Sequence, residues 1–168
     1  DGWLAIFFAP QHAAVSMDPL RAGAERAGRA VSDVDVTPTV PVVVGDDLAA
    51  CADSLRAYTA LYVGGMGSRS QNFYNALARR MGFEQAAQEV QDLYLEQRQR
   101  DAMAAVPFEL IDATSLLGSP ARIRDRLAAY AEAGVTTLNV APIGKDAPAR
   151  EHTLRTMAGA LDDAGLGD

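Results

Sequence analysis

Cysteine is almost missing from this 168-residue chain, and histidine is scarce: there is one Cys and there are two His. A single thiol excludes an internal disulfide and any all-cysteine cage, and two isolated imidazoles cannot complete the usual metal clusters. No metal is expected. Cys51 falls with Leu48, Ala52 and Leu55 on one helical face, the pattern of a buried structural thiol. Basic residues are also in deficit, 15 against 22 acidic, for a formal net charge of −7. That balance argues against gripping a phosphate backbone, so no nucleic-acid partner is expected. Arg79-Arg80 and the arginines at 98 and 100 read as solvated helix faces. No apolar run approaches the roughly 18–20 residues of a membrane span. With no signal-peptide pattern either, the expectation is a cytoplasmic protein without a membrane partner. There is no Walker loop and no Gly-x-Ser-x-Gly elbow. An initiator Met is lacking too: the chain opens Asp1-Gly2-Trp3-Leu4-Ala5-Ile6-Phe7-Phe8, inside an apolar strand. The expectation is a fragment whose N-terminal part is missing.

What is present is an ordinary globular composition, 49% hydrophobic and 22% charged. Its most legible stretch runs from Ser119 to Pro142. Ser119 can cap a helix, and Pro120 sits at the first helical position, where its missing N–H costs nothing. Ile123, Leu127, Tyr130 and Ala131 share one helical face, while Arg122, Arg124, Asp125 and Glu132 lie elsewhere. Gly134 follows the last turn, and the β-branched run Val135 to Val140 begins at once. So short a helix-to-strand joint is typical of α/β proteins with parallel sheets.

Taken in order, Gly2 to Phe8 reads as a strand buried on both faces. Asp18-Pro19 repeats the cap-plus-proline helix start, and that helix stops at Gly28. A second strand covers about Val36 to Val44. Its even positions are apolar, and its odd positions include Thr37 and Thr39. The last strand divides likewise, with Leu138 and Val140 on one face and Thr137 and Asn139 on the other. This polarity fits a barrel whose interior meets a polar site, although Pro38 and Pro41 each remove a ladder donor. Between Asp47 and Gly118 the chain reads as helical. Expected segments are Asp47 to Gly64-Gly65, Gln71 to Met81, and a long helix from Glu84 to about Ala105. Phe108 to Leu117 reads as holding one more turn.

Two stretches could carry chemistry. His12 sits in the loop after the first strand, where parallel barrels build their sites, although by position alone a surface loop histidine is the favoured reading. Tyr62-Val63-Gly64-Gly65-Met66-Gly67-Ser68-Arg69-Ser70-Gln71-Asn72-Phe73 combines close-approach glycines with side-chain donors and a helix start. It could hold a planar cofactor or a phosphate. It also reads as a helix C-cap, a turn and a Ser70 N-cap, and on spacing alone that structural reading prevails. His152 reads as a solvent-facing helix residue.

Asp1-Gly2-Trp3-Leu4, Tyr62 to Gly67 with Asn72-Phe73 and Gly82-Phe83, Val106-Pro107-Phe108-Glu109-Leu110-Ile111-Asp112, and Ala133-Gly134-Val135-Thr136-Thr137-Leu138, in that order, resemble the C-terminal half of the bacterial luciferase-like monooxygenase family. The Gly-Gly-Met-Gly stretch resembles the actinobacterial members that use the deazaflavin coenzyme F-420. The resemblance implies an α/β fold, the C-terminal part of a TIM-type (β/α)8 barrel. Residues 1–168 would then belong to one barrel domain, with about three parallel strands and a helical insertion at about 47–118. It implies an oxidoreductase using coenzyme F-420 for hydride transfer to or from a small organic substrate. The alternatives are an FMN-dependent monooxygenase and, from another class, a non-catalytic barrel-derived binding or assembly module. Candidate cofactor contacts are Gly65, Met66 and Asn72, and candidate substrate-pocket residues are Phe8, His12 and Thr39. In the family most flavin contacts and a phosphate-gripping loop lie upstream of the Asp1-Gly2 start, so no catalytic residue is assigned. Where some monooxygenase relatives place an arginine and a histidine, this chain has Thr39 and Pro41. The expected partners are the missing N-terminal half of the barrel and further copies of the chain, because open sheet edges invite association. Alone, the chain is expected to be inactive.

Overall fold

A computed structural model describes residues 1–167. In chain order the elements are β1 (Gly2–Ile6), α1 (Ala14–Arg26), β2 (Asp35–Val44), α2 (Leu48–Asp53), α3 (Arg56–Ala60), α4 (Phe73–Arg80), α5 (Glu84–Leu95), α6 (Gln99–Ala105), α7 (Phe108–Ala113), β3 (Leu116–Gly118), α8 (Pro120–Glu132), β4 (Asn139–Pro142) and α9 (Ala147–Asp163). They fall into two units, one of residues 1–51 with 113–168 and one of residues 52–112.

The first unit is built on β2. Each of β1, β3 and β4 pairs with it in parallel, over residues 35–39, 42–44 and 39–42 respectively. Pro38 and Pro41 both lie inside this central strand; each loses one ladder donor but keeps its carbonyl. Alternation sends Val36, Val40 and Val42 to one face, where they pack with Ile123, Leu127 and Tyr130 of α8 and Met157 and Ala160 of α9. Burying side chains of this size stabilises by about 1.5–3 kcal/mol each, which is why α8 docks through that stripe. Ser119 caps α8, its side chain accepting from the Arg122 N–H at 3.4 Å, with Pro120 at the first position. Gly134 takes φ +90 where the helix ends.

Several boundaries differ from the sequence expectation. The helix expected at Asp18-Pro19 begins at Ala14, because a 3-10 turn at Pro10–His12 leads directly into it. Pro19 then lies inside the helix, removing the bond to the Val15 carbonyl, and Asp18 pairs with Arg21 at 2.9 Å instead of capping. The last strand begins at Asn139 and not at Val135. Upstream of it the Thr136 hydroxyl takes over the ladder's work, accepting from the Val36 N–H at 2.9 Å and donating to Asp35 Oδ1 at 3.1 Å. Leu116–Gly118 forms a fourth strand that its three residues were too short to announce.

The second unit is helical. The single helix expected over 84–105 is two, α5 and α6, parted at Gln97 with φ +63. The Gln97 and Arg98 amides turn back onto the carbonyls of Tyr94 and Leu93 at 3.1 and 2.9 Å, closing α5. A non-glycine residue there is locally strained, and no periodicity signals it.

Cys51 is 5% exposed, as its helical face predicts. Burial pushes its thiol pKa up, the nearby Asp47 and Asp46 add to that, and a hydrogen bond with the Gly118 backbone opposes it. We expect the native thiol to resist a disulfide reagent at neutral pH and to react fully in denaturant. Stoichiometric labelling of the folded chain within seconds would contradict its placement.

Candidate functional site

The face of the sheet opposite the helices is where the first unit can meet a ligand. By register Leu4 stands beside Thr37, Ile6 beside Thr39, Thr39 beside Asn139, and Pro41 beside Ala141. Within these strands the only ionisable side chain is Asp35, at the start of β2, where the Thr136 hydroxyl engages it. Apart from Asp35 this face carries no charge within the strands, and Leu4 on it is 66% exposed in this part of the barrel. Asn139 Nδ2 donates to Thr39 Oγ1 at 3.0 Å across the ladder.

Of the sequence candidates, Thr39 lies on this face and Phe8 does not. Alternation from Leu4 and Ile6 would send Phe8 to the same side. Phe7, however, adopts φ +59, which ends β1 and turns Phe8 to the helix side. There it is 3% exposed, with ring centroids 6.1 Å from Tyr130 and 6.3 Å from Trp3. His12 closes the 3-10 turn after β1, half-buried, its amide donating to the Ala9 carbonyl at 2.9 Å. Sequence reasoning passed over Asn139 as a site residue, although its place opposite the apolar Leu138 and Val140 was the available signal.

On the helix side a cleft of about 450 Å³ is lined by Leu127, Leu138, Val140, Leu154, Met157 and Leu161 among others. Its walls are mostly apolar, without the convergent polar groups of a specific small-molecule site.

In the second unit, Gly65, Met66 and Asn72 belong to one stretch. Residues Leu61–Gly65 form a π-helical turn. The glycines there are explained by packing: a Cβ at Gly64 would come within 2.6 Å of Tyr94 Cβ, and one at Gly65 within 2.4 Å of Tyr94 Cε1. Gly65 is thus backed by a tyrosine ring and forms no open cradle. Asn72, not Ser70, caps α4, accepting from the Asn75 N–H at 3.0 Å. Its Nδ2 donates to the carbonyls of Tyr62 and Val63 at 3.1 and 3.0 Å, which commits its amide within the chain. Met66 is 47% exposed, and Ser68, Arg69 and Ser70 are exposed with it. Arg69 pairs with Asp92.

Beside this turn Tyr58, Tyr62, Tyr74 and Phe73 form a ladder of rings, with successive centroids 4.7, 4.8 and 5.4 Å apart. Burial above all, then the neighbouring phenols of Tyr62 and Tyr74, pushes the Tyr58 pKa up to about 12. The folded state holds this proton more tightly than the unfolded chain, so the contribution is complete below pH about 10 and is lost as pH rises towards about 12. Absorbance titration of the folded protein should show a phenol ionising about two units late, and Tyr58→Phe should remove its contribution. Identical titration curves for the two proteins at high pH, apart from the missing phenol's amplitude near its ordinary value, would contradict the ladder.

Among the described residues no group of three His, Cys, Asp or Glu could hold a metal ion, and no helix is long and apolar enough to cross a membrane.

The family model of luciferase-like monooxygenases matches residues 1–137. A protein of Mycobacterium tuberculosis, provisionally named a coenzyme F-420-dependent oxidoreductase, is 37% identical over 142 residues, which is 83% of this chain and 41% of that protein. The chain therefore spans about two fifths of the curated relative it matches. Among solved structures, the coenzyme F-420-dependent tetrahydromethanopterin reductase of Methanopyrus kandleri superposes with a TM-score of 0.72 at 22% identity, over 96% of this chain and 44% of that one. An F-420-dependent secondary alcohol dehydrogenase, solved with an F-420–acetone adduct, gives 0.66 at 15% identity, over 100% and 43%. At those identities the structures speak to fold: the parallel strands and their helices are the C-terminal part of a TIM-type barrel.

Proposed function

The chain belongs to the luciferase-like monooxygenase family, and on that premise we propose that it is the C-terminal portion of a barrel oxidoreductase that uses coenzyme F-420. The observation that carries this reading is the 37% identity, over 142 residues, to a mycobacterial protein named for that cofactor. The substrate in this reading is a small organic molecule, and the partner that completes the site is the remaining part of the barrel. Residues 1–168 form one portion of that barrel, with the helices between about 47 and 118 inserted into it.

The residues present fit one part of such a cofactor. The neutral face of Ile6, Thr39, Asn139 and Ala141 suits an uncharged ring system or the substrate beside it. It offers no cation for a phosphate, so a phosphorylated tail is gripped by other residues. When bound, the deazaflavin supplies the hydride donor or acceptor, and this chain's part is to orient and to exclude water.

The test is a fluorescence titration of the full-length protein and of this 168-residue chain with deazaflavin and with FMN. The full-length protein should bind deazaflavin. The chain alone should bind at least about a hundredfold more weakly and show no turnover, since several charge-assisted hydrogen bonds of about 1.5–3 kcal/mol each are missing. Full-length protein that binds FMN and ignores deazaflavin sinks the reading. Micromolar binding by the chain alone would move the phosphate grip inside these residues.

A further inference from the structure

Three of the chain's five tyrosines meet in the helical unit, where Tyr58, Tyr62 and Tyr74 are all half-buried. Tyr58 and Tyr62 stand four positions apart, so their side chains project from one face of consecutive turns. Their ring centroids are 4.7 Å apart at 43°, close to the lower limit for packed rings, and their hydroxyls hydrogen-bond each other. The backbone around them is pinned. Asn72 Nδ2 donates to the Tyr62 carbonyl at 3.1 Å, and Asn72 and Asn75 both donate to the Val63 carbonyl at 3.0 Å. All of these contacts lie within residues 58–75, so the pairing rests neither on an open surface nor on what the remaining barrel covers.

That geometry decides which chemistry is open to the rings. A phenol that gives one electron to an oxidant and its hydroxyl proton to water becomes a phenoxyl radical. Its spin density lies partly on the ring carbons beside the hydroxyl-bearing carbon, and two such radicals couple there. The hydrogen-bonded hydroxyls bring these carbons of Tyr58 and Tyr62 together. Tyr74 is about as near to Tyr62, with centroids 4.8 Å apart, but at 80° the two rings meet edge to face, which keeps their coupling carbons from meeting.

We propose that Tyr58 and Tyr62 are a modification site, at which a diffusible one-electron oxidant of the carbonate- or sulfate-radical class joins the two rings. Two equivalents of oxidant take one electron from each phenol, and the two hydroxyl protons go to water. A carbon–carbon bond then forms between the rings. The hydrogen on each joined carbon passes to the phenoxyl oxygen, so both phenols are restored. The product has lost two hydrogens and ties α3 to the π-helical turn that leads to Met66. The site is independent of which cofactor the protein binds.

The test treats the full-length protein with photoexcited tris(bipyridine)ruthenium and persulfate, each persulfate accepting two electrons and leaving as two sulfates. Trypsin then cuts after Arg56, Arg69 and Arg79, which places Tyr58 and Tyr62 in one peptide and Tyr74 in the next. Peptide 57–69 should lose two hydrogens and gain dityrosine fluorescence, to an extent unchanged by diluting the protein. Unfolding in urea should lower that yield about tenfold, because only the fold holds the two rings in place. Tyr58→Phe and Tyr62→Phe should each abolish it. Oxygen added to Met66, in the same peptide, is read as a separate mass change. The proposal is overturned if peptide 57–69 keeps its hydrogens while other tyrosines are oxidised. A bond joining Tyr62 to Tyr74 across the two peptides, or an equal yield in urea, overturns it as well.

Discussion

Asn75→Ala should destabilise the helical unit by about 2–4 kcal/mol, more than a surface asparagine would cost. Asn75 is 4% exposed and ties together three segments. Its Nδ2 donates to the carbonyls of Val63 at 3.0 Å and Ala87 at 2.7 Å, and its Oδ1 accepts from Arg79 Nε at 2.7 Å. Arg79 reaches on to Gln88, and Gln88 to Asp92 at 2.9 Å. Alanine removes both donors at once, so the tie between the π-helical turn and α5 is lost, while the guanidinium of Arg79 loses a buried acceptor. The loss should appear as a lower urea midpoint and as faster amide exchange across residues 61–79. Asn75→Asp, which keeps the acceptor for Arg79 but turns an oxygen towards the two carbonyls, should be at least as damaging. An Asn75→Ala protein within about 0.5 kcal/mol of the parent would show that this network is not what holds the π-helical turn.

Gly67→Ala should cost about 2–4 kcal/mol, from backbone strain and overlap together. Gly67 has φ +149, and a Cβ there would sit 2.2 Å from the Gln71 carbonyl oxygen, a backbone atom that cannot swing away. Gly82→Ala separates the two causes, because Gly82 has φ +92 with nothing within 4 Å of an added Cβ. That variant should lose only the strain, about 1–2 kcal/mol. Gly65→Ala is a different case: the obstruction is the ring of Tyr94, a side chain, so Tyr94→Ala should recover part of the loss in a double-mutant cycle. Equal losses at Gly67 and Gly82, with no coupling between Gly65 and Tyr94, would contradict the packing account. These effects matter for function because the same turn exposes Met66, the candidate contact of this segment that packing and hydrogen bonds leave available.

The Gly-Gly-Met-Gly stretch shows how a functional-looking signal can be structural. Its glycines admit the Tyr94 ring and allow the turn, and its terminal asparagine is occupied in capping and in holding two carbonyls. Close approach was legible in the residues. The object approached was not, since Tyr94 lies nearly thirty residues on and only folding brings it there.

Local rules settled the strand and helix content wherever one segment could decide its own state. The Ser119-Pro120 start, the α8 stripe through Ile123, Leu127 and Tyr130 (Ala131 is exposed), the stop at Gly134, and the even–odd division of β2 hold in the structure. Each depends on neighbours within about four positions, the range over which helix and strand periodicity act. The polar face carrying Thr39 and Asn139 was visible for the same reason. Tertiary structure decided what needed distant partners or an unusual backbone angle. It turned Phe8 into the core through the positive φ of Phe7, and it broke the long helix at Gln97. It made a strand of Leu116–Gly118 by pairing it with β2, and it let Thr136 stand in for a ladder amide. Above all it brought Asn139 to within hydrogen-bonding distance of Thr39, exactly one hundred positions earlier in the chain. A strand pattern names the face a residue occupies, but only the register between strands names its neighbour.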